Sequence, residues 1–113
     1  MRTYYDRGGD KAVVEVARDG LQAVEAFKNS REGELEAILM DIMMPNMDGI
    51  EATKTIRSLE RADAKSIPII AMTANAFVED MRKTKEAGMN EHLTKPLKKE
   101  VLFETMEKYL GNQ

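Results

Sequence analysis

Three residues carrying the functional groups of phosphoryl chemistry each follow a run of strand-forming residues. Asp41 follows Ala37-Ile38-Leu39-Met40, Thr73 follows Ile67-Pro68-Ile69-Ile70-Ala71-Met72, and Lys95, itself followed by Pro96, comes after the weaker run Glu91-His92-Leu93-Thr94. In open α/β sheets ligands bind beyond the carboxyl ends of the strands. A carboxylate, a hydroxyl and an ammonium would therefore meet on one rim, supplied by three different strands. Such a set suits a phosphoryl group, since it offers one nucleophile, one hydrogen-bond donor and one cation directed at developing negative charge. Taken singly, each has an ordinary explanation: an Asp after a strand caps or turns the chain, a Thr there bonds backbone, and a Lys is solvated. The joint spacing is what carries the chemical reading.

The elements that must position these groups are legible from pattern. The runs at Ala37 and Ile67 are short and continuously apolar rather than alternating, as expected of parallel strands covered on both faces. Val13, Val14 and Val16 mark an earlier strand that ends at Arg18-Asp19-Gly20, and Pro68 sits near a strand start, where its missing donor is tolerated. Between the strands, Leu21, Val24 and Phe27 repeat at helical spacing. Ile50, Ile56 and Leu59 belong to a helix opened by Asp48, with Glu51 completing a capping box. A third helix is expected from Phe77 to Ala87, stopped by Gly88 in a left-handed C-cap. The last, Leu97 to Leu110, is expected to bury Leu97, Val101, Leu102, Met106 and Leu110 and to close at Gly111. Strand followed by helix, four times, implies an α/β fold with a doubly wound parallel sheet.

Composition narrows the function. The chain has 113 residues, one domain's worth, with 1–11 as an atypical N-terminal segment and 12–110 as the body. Lys plus Arg number 17 and Asp plus Glu 20, so 17 − 20 = −3, and there is no basic field for nucleic acid. The absence of Cys excludes disulfides and thiolate chemistry, and a single His excludes a multi-histidine metal site. No apolar stretch approaches the roughly 18 residues of a membrane span, so a cytoplasmic domain with no direct membrane contact is expected. The nine Met read as adaptable core filling. No Gly-rich phosphate loop and no second carboxylate beside Asp41 mark the chain as an enzyme in its own right.

Asp41-Ile42-Met43-Met44-Pro45-Asn46-Met47-Asp48-Gly49, then Thr73-Ala74, then Lys95-Pro96 resembles the receiver domain of two-component response regulators. Around Asp41 and Ala87-Gly88-Met89-Asn90 the chain is similar to receivers of hybrid sensor histidine kinases. The resemblance implies a flavodoxin-like fold and a place in phosphorelay signal transduction. Asp41 would be the phosphoacceptor, taking its phosphoryl group from a phosphohistidine on a histidine kinase or histidine phosphotransfer domain. Thr73 would turn to bond one phosphoryl oxygen and Lys95 would pair with another, while Asp41 and the main-chain carbonyl of Met43 would ligate Mg²⁺. The Lys95-Pro96 peptide would be cis, and His92, three residues before the lysine, would stand where the family places its switch aromatic. Asp48 reads as a helix cap rather than as chemistry.

One departure is expected to matter. Receivers begin with an apolar strand ending in paired acids, followed by a helix, and the acids complete the Mg²⁺ site. The twelve residues before Val13 cannot hold a strand and its crossover helix, which alone takes roughly a dozen residues. In the family's 2-1-3-4-5 order that loss would leave a slot in mid-sheet. It could be filled by Thr3-Tyr4-Tyr5 folded back through Arg7-Gly8-Gly9-Asp10 as a hairpin, or by exchange with a second copy, so a homodimer is expected. Without the acids Mg²⁺ should bind weakly, and phosphoryl acceptance should be impaired. The alternative reading is a pseudo-receiver, an interaction or dimerisation module that keeps the fold and signals without phosphate.

Overall fold

The computed structural model describes residues 2–6, 9, 11–42, 48–73, 78–94 and 98–110. In chain order the elements are β1 (Arg2–Asp6), β2 (Lys11–Ala17), α1 (Gly20–Asn29), β3 (Ala37–Ile42), α2 (Asp48–Ser58), a single 3₁₀ turn (Ala62–Ala64), β4 (Ile69–Thr73), α3 (Val78–Ala87), β5 (Glu91–Thr94) and α4 (Lys99–Leu110). The strands form one sheet in the order β1-β2-β3-β4-β5. From β2 to β5 every neighbouring pair is parallel, and β1 alone runs antiparallel. The four expected strand–helix units are all present, and α1, α2 and α3 each carry the chain back to the start of the next strand.

No slot opens in the middle of the sheet. The valine strand β2 pairs directly with β3, Val14 opposite Ala37 and Ala17 opposite Met40, so the backbone groups that a gap would strand are satisfied by the adjacent strand. β1 forms the expected antiparallel hairpin with β2, Thr3 opposite Val14 and Asp6 opposite Lys11, but it lies on the outer side of β2 at the sheet edge and fills no place between β2 and β3. The turn is closed by the Gly9 N–H donating to the Asp6 carboxylate at 3.3 Å, and Gly9 takes φ +108°, a conformation open to glycine at little cost. As a hairpin requires, Asp6 lies at the rim opposite to that of Asp41.

Successive strand residues face opposite sides, and the two sides build two cores. Ile38, Met40, Ile69 and Ala71 join Phe27, Ile56 and Met89 beneath α1 and α2. Ala37, Leu39, Ile70, Met72 and Leu93 join Val14, Tyr5, Met106 and Leu110 on the α4 side. Helical periodicity located the helices but misplaced some faces. Leu21 is 67% exposed and Val101 43%, whereas Phe27 is fully buried. α1 buries Ala23 and Phe27 four residues apart, which turns Leu21 outward. On α4 the buried stripe runs through Thr105, Met106 and Leu110. The expected Phe77 start of α3 and Leu97 start and Gly111 end of α4 lie outside the described residues.

Two arginines tie the helical layer together, and one of them reaches the sheet through Asn90. Arg57 on α2 donates to the carbonyl of Gly88 through Nη2 at 2.7 Å and Nε at 3.1 Å. It also reaches the carbonyl of Ala64 at 3.0 Å and the side-chain oxygen of Asn90 at 2.9 Å; that same Asn90 oxygen accepts from the Ile69 N–H at 2.8 Å. Gly88 ends α3 at φ +114°, and a Cβ there would stand 3.0 Å from both Cγ and Nε of Arg57. Gly88→Ala is therefore expected to destabilise the fold by about 2 kcal/mol through backbone strain alone, read as a lowered urea midpoint with unchanged slope; a midpoint equal to wild type would contradict it.

Arg61 lies over the Phe27 ring at 4.2 Å and donates to Asp63 through Nη2 at 2.8 Å. Burial would raise the Asp63 carboxyl, but hydrogen bonds from Arg61 and from the Gly33 N–H, with the Arg61 charge, outweigh it and hold the group below its ordinary 3.8. A depressed folded pKa contributes stability that is present above the unfolded value and is lost as pH falls through the folded one. Wild type should thus lose more stability than Asp63→Asn as pH drops below about 3.8. Equal acid slopes in urea titrations would show that the pair contributes nothing.

Candidate functional site

Asp41 is the penultimate residue of β3 and Thr73 the last of β4. The register sets Asp41 opposite Met72 and Ile42 opposite Thr73, so the two candidate residues leave adjacent parallel strands one step apart. On the next strand, Thr73 stands opposite Thr94, which ends β5. Asp41 and Thr73 are both half-buried, as side chains at the top of a covered sheet should be. By the pleat, Asp41 continues the series Ala37 and Leu39 on the α4 side, and Thr73 continues Ile69 and Ala71 on the α1/α2 side. A group bound above the strand ends would be reached from both faces.

His92 stands opposite Ala71, two residues before the strand end, on the same face as Thr73. Its Nε2 and the Oγ1 of buried Thr84 on α3 are hydrogen-bond partners, so the ring links β5 to the helix that follows Thr73 in the chain. Lys95 and Pro96 come directly after Thr94 and Met43 directly after Ile42; all three lie outside the described residues. α2 does begin at Asp48, and the capping role expected of the Asp48 side chain also falls outside them.

The sequence reading passed over one contribution to this rim. β2 ends at Ala17, opposite Met40, so Arg18 and Asp19 leave the sheet at the end where Asp41 stands. Asp19 caps α1, its Oδ1 accepting from the Gln22 N–H at 2.8 Å, and the Arg18 N–H donates to the Gln22 side chain at 3.0 Å. Asp19 follows the valine strand as Asp41, Thr73 and Lys95 follow theirs. Direct β2–β3 pairing, which periodicity does not reveal, is what brings Asp19 to the site.

For a metal, the described residues offer little. They contain no cluster of three or more acidic or histidine side chains, so the rim supplies Asp41 and, one strand away, the cap carboxylate of Asp19. Mg²⁺ is commonly held by one or two carboxylates with phosphate oxygens and water, and these two acids fit that minimal form only.

The arrangement matches known proteins. The model of the response regulator receiver domain matches residues 2–107. This chain belongs to the response regulator receiver family. Hybrid signal transduction histidine kinase I of Dictyostelium discoideum is 39% identical over 95 residues, 82% of this chain and 6% of that protein. Hybrid signal transduction histidine kinase B of the same organism is 39% identical over 109 residues, 88% of this chain and 5% of its own length. The chain thus spans a small fraction of the curated relatives it matches. Among solved structures, the receiver domain of a sensor histidine kinase from Pseudomonas aeruginosa PAO1, with a magnesium ion coordinated in its active site cleft, superposes with TM-score 0.71 at 31% identity, covering 88% of this chain and 97% of that one. The receiver's fold is accordingly flavodoxin-like, of the two-component phosphorelay type. The family match begins at residue 2, so it marks no leading unit as lost. In this receiver an antiparallel hairpin strand lies at the sheet edge and the valine strand lies beside β3. Among the described residues no helix is long and apolar enough to cross a membrane.

Proposed function

We propose that this receiver accepts a phosphoryl group on Asp41 from a phosphohistidine of a histidine kinase or histidine phosphotransfer partner, and that it does so slowly because Mg²⁺ is held weakly. The observation that carries the reading is the register that sets Asp41 and Thr73 on adjacent strand ends of one rim. An Asp41 carboxylate oxygen attacks phosphorus, the P–O bond forms as the P–N bond breaks, and the departing imidazole nitrogen takes a proton. The Thr73 hydroxyl and the Lys95 ammonium bond the phosphoryl oxygens, where negative charge gathers. Transfer turns the singly charged Asp41 carboxylate into an acyl phosphate of about two negative charges, and Thr73 moving toward it shifts the His92 contact with Thr84, the switch element. When bound, Mg²⁺ would neutralise phosphoryl charge, with Asp41 and the Met43 carbonyl as ligands. Asp19 is held in its cap and lends limited help.

Chemically, the domain is a signalling module and not a free-standing enzyme. The outer edge of β1 is the surface through which a homodimer would form, since β1 ends the sheet.

Incubation with phosphoramidate over a range of Mg²⁺ concentrations, read by intact mass, tests both parts. One phosphoryl group per chain, appearing only at high Mg²⁺, is expected. Complete labelling at low Mg²⁺ would remove the impairment, and no labelling at any concentration would leave a phosphate-independent interaction module.

A further inference from the structure

Helices α1 and α2 cover one face of the sheet, but on the other face α4 covers the sheet only in part. Between α4 and the hairpin side of the sheet lies an apolar groove of about 740 Å³. Its floor is Thr3, Tyr5, Val14 and Leu39, and its wall is Leu102 and Phe103 of α4. Phe103 is 56% exposed, although its ring meets that of Tyr5 at 5.5 Å between centroids. Parallel strands are ordinarily covered on both faces, and an aromatic wall left half in water beside an apolar floor is a surface shaped for something else.

Charge tells what that is. Glu100 and Glu104, four residues apart on α4, line the groove, and Glu107, on the next turn, bonds the Tyr5 phenol. Among the described residues, no Lys or Arg lines it. The groove is therefore apolar at its base and acidic along one bank. Its position, between a sheet floor and a helix wall, is that of a helix in the packing of this fold.

We infer that the groove receives an amphipathic helix of another protein, one that carries Lys or Arg along one flank of its apolar stripe. The apolar stripe fills the space over Val14 and Leu39, and the cations meet Glu100 and Glu104. The groove shares the α4 side of the sheet with Asp41, but none of the described rim residues lines it, and the docking does not depend on phosphoryl transfer.

The probe is a fluorescent helical peptide with leucines at i, i+3, i+4 and i+7 and lysines on one flank, compared with its counterpart bearing glutamates in place of the lysines. Fluorescence anisotropy should show the lysine peptide binding at least roughly tenfold more tightly, with the preference shrinking in high salt. Exposed Glu100 and Glu104 can be reversed without disturbing the core, and the E100K/E104K variant should favour the glutamate peptide. Phe103→Ser should weaken both peptides, with helical content checked by circular dichroism. Equal binding of the two peptides, no binding, or an unreversed preference would overturn the inference. A dimer by light scattering that Phe103→Ser dissociates would also overturn it, by assigning the groove to a second copy.

Discussion

Phe27→Ala is expected to lower the unfolding free energy by about 4 kcal/mol, a large part of the roughly 5 to 15 kcal/mol that holds a domain of this kind folded. Phe27 is fully buried at the centre of the core beneath α1 and α2. Truncation removes its transfer free energy and leaves a cavity that the sheet, pinned by its hydrogen bonds, cannot collapse to fill. It also removes the ring beneath the Arg61 guanidinium, a contact worth about 0.5 to 2 kcal/mol. Arg61 would keep its backbone anchor, since its Nη1 donates to the Phe27 carbonyl at 2.6 Å and any side chain leaves that carbonyl in place. Leu21→Ala on the same helix is the control: with 67% of its surface in water, the change should stay within about 0.5 kcal/mol. Urea unfolding of both variants decides it. Similar midpoints for the two would mean that α1 presents a different face from the one described.

Lys95→Met should slow phosphoryl transfer to Asp41 by roughly a hundredfold, the usual scale for removing one preorganised donor from developing charge. Methionine keeps the length and apolar stem of lysine while deleting the ammonium, so stability should change little. Thr73→Val, which preserves shape and removes the hydroxyl, should have a smaller effect on rate and a larger one on whatever signal reaches His92 and α3. Initial rates with phosphoramidate at saturating Mg²⁺ give both values. A Lys95→Met rate within a fewfold of wild type would take the cation out of the chemistry.

Much of this was legible in the sequence because it depends on short-range signals. Continuous apolar runs at Ala37 and Ile67 announced covered parallel strands, Gly88 announced a left-handed helix end, and the residues following the runs announced the rim. Helix faces were less legible. Leu21 and Val101 fit a helical repeat as well as buried residues do, and only the packing of α1 on α2 and of α4 on the sheet chooses between them. The order of strands was not legible at all, because which strand lies beside β3 is a question of tertiary pairing. The sequence could suggest that Thr3-Tyr4-Tyr5 folds back as a hairpin, yet it could not tell that the valine strand closes up against β3. Asp19 was missed for the same reason. Its signal, a carboxylate following a strand, was present, but its strand's place in the sheet was not.

The same pairing connects structure to chemistry. A valine strand beside β3 brings Asp19 to the rim as a helix cap already bonded to Gln22, not as one of two acids committed to a metal. On the proposed function, phosphoryl transfer would lean on Asp41, Thr73 and Lys95, and weak metal binding would limit it.

The central claim is that Asp41 is where phosphate lands, and the most direct measurement is intact mass after exposure to phosphoramidate and saturating Mg²⁺, run in parallel on wild type and Asp41→Asn. One phosphoryl adduct on wild type, lost on treatment with hydroxylamine as an acyl phosphate should be, and none on Asp41→Asn is the predicted outcome. An equal adduct on both proteins, or an adduct on neither, would contradict it.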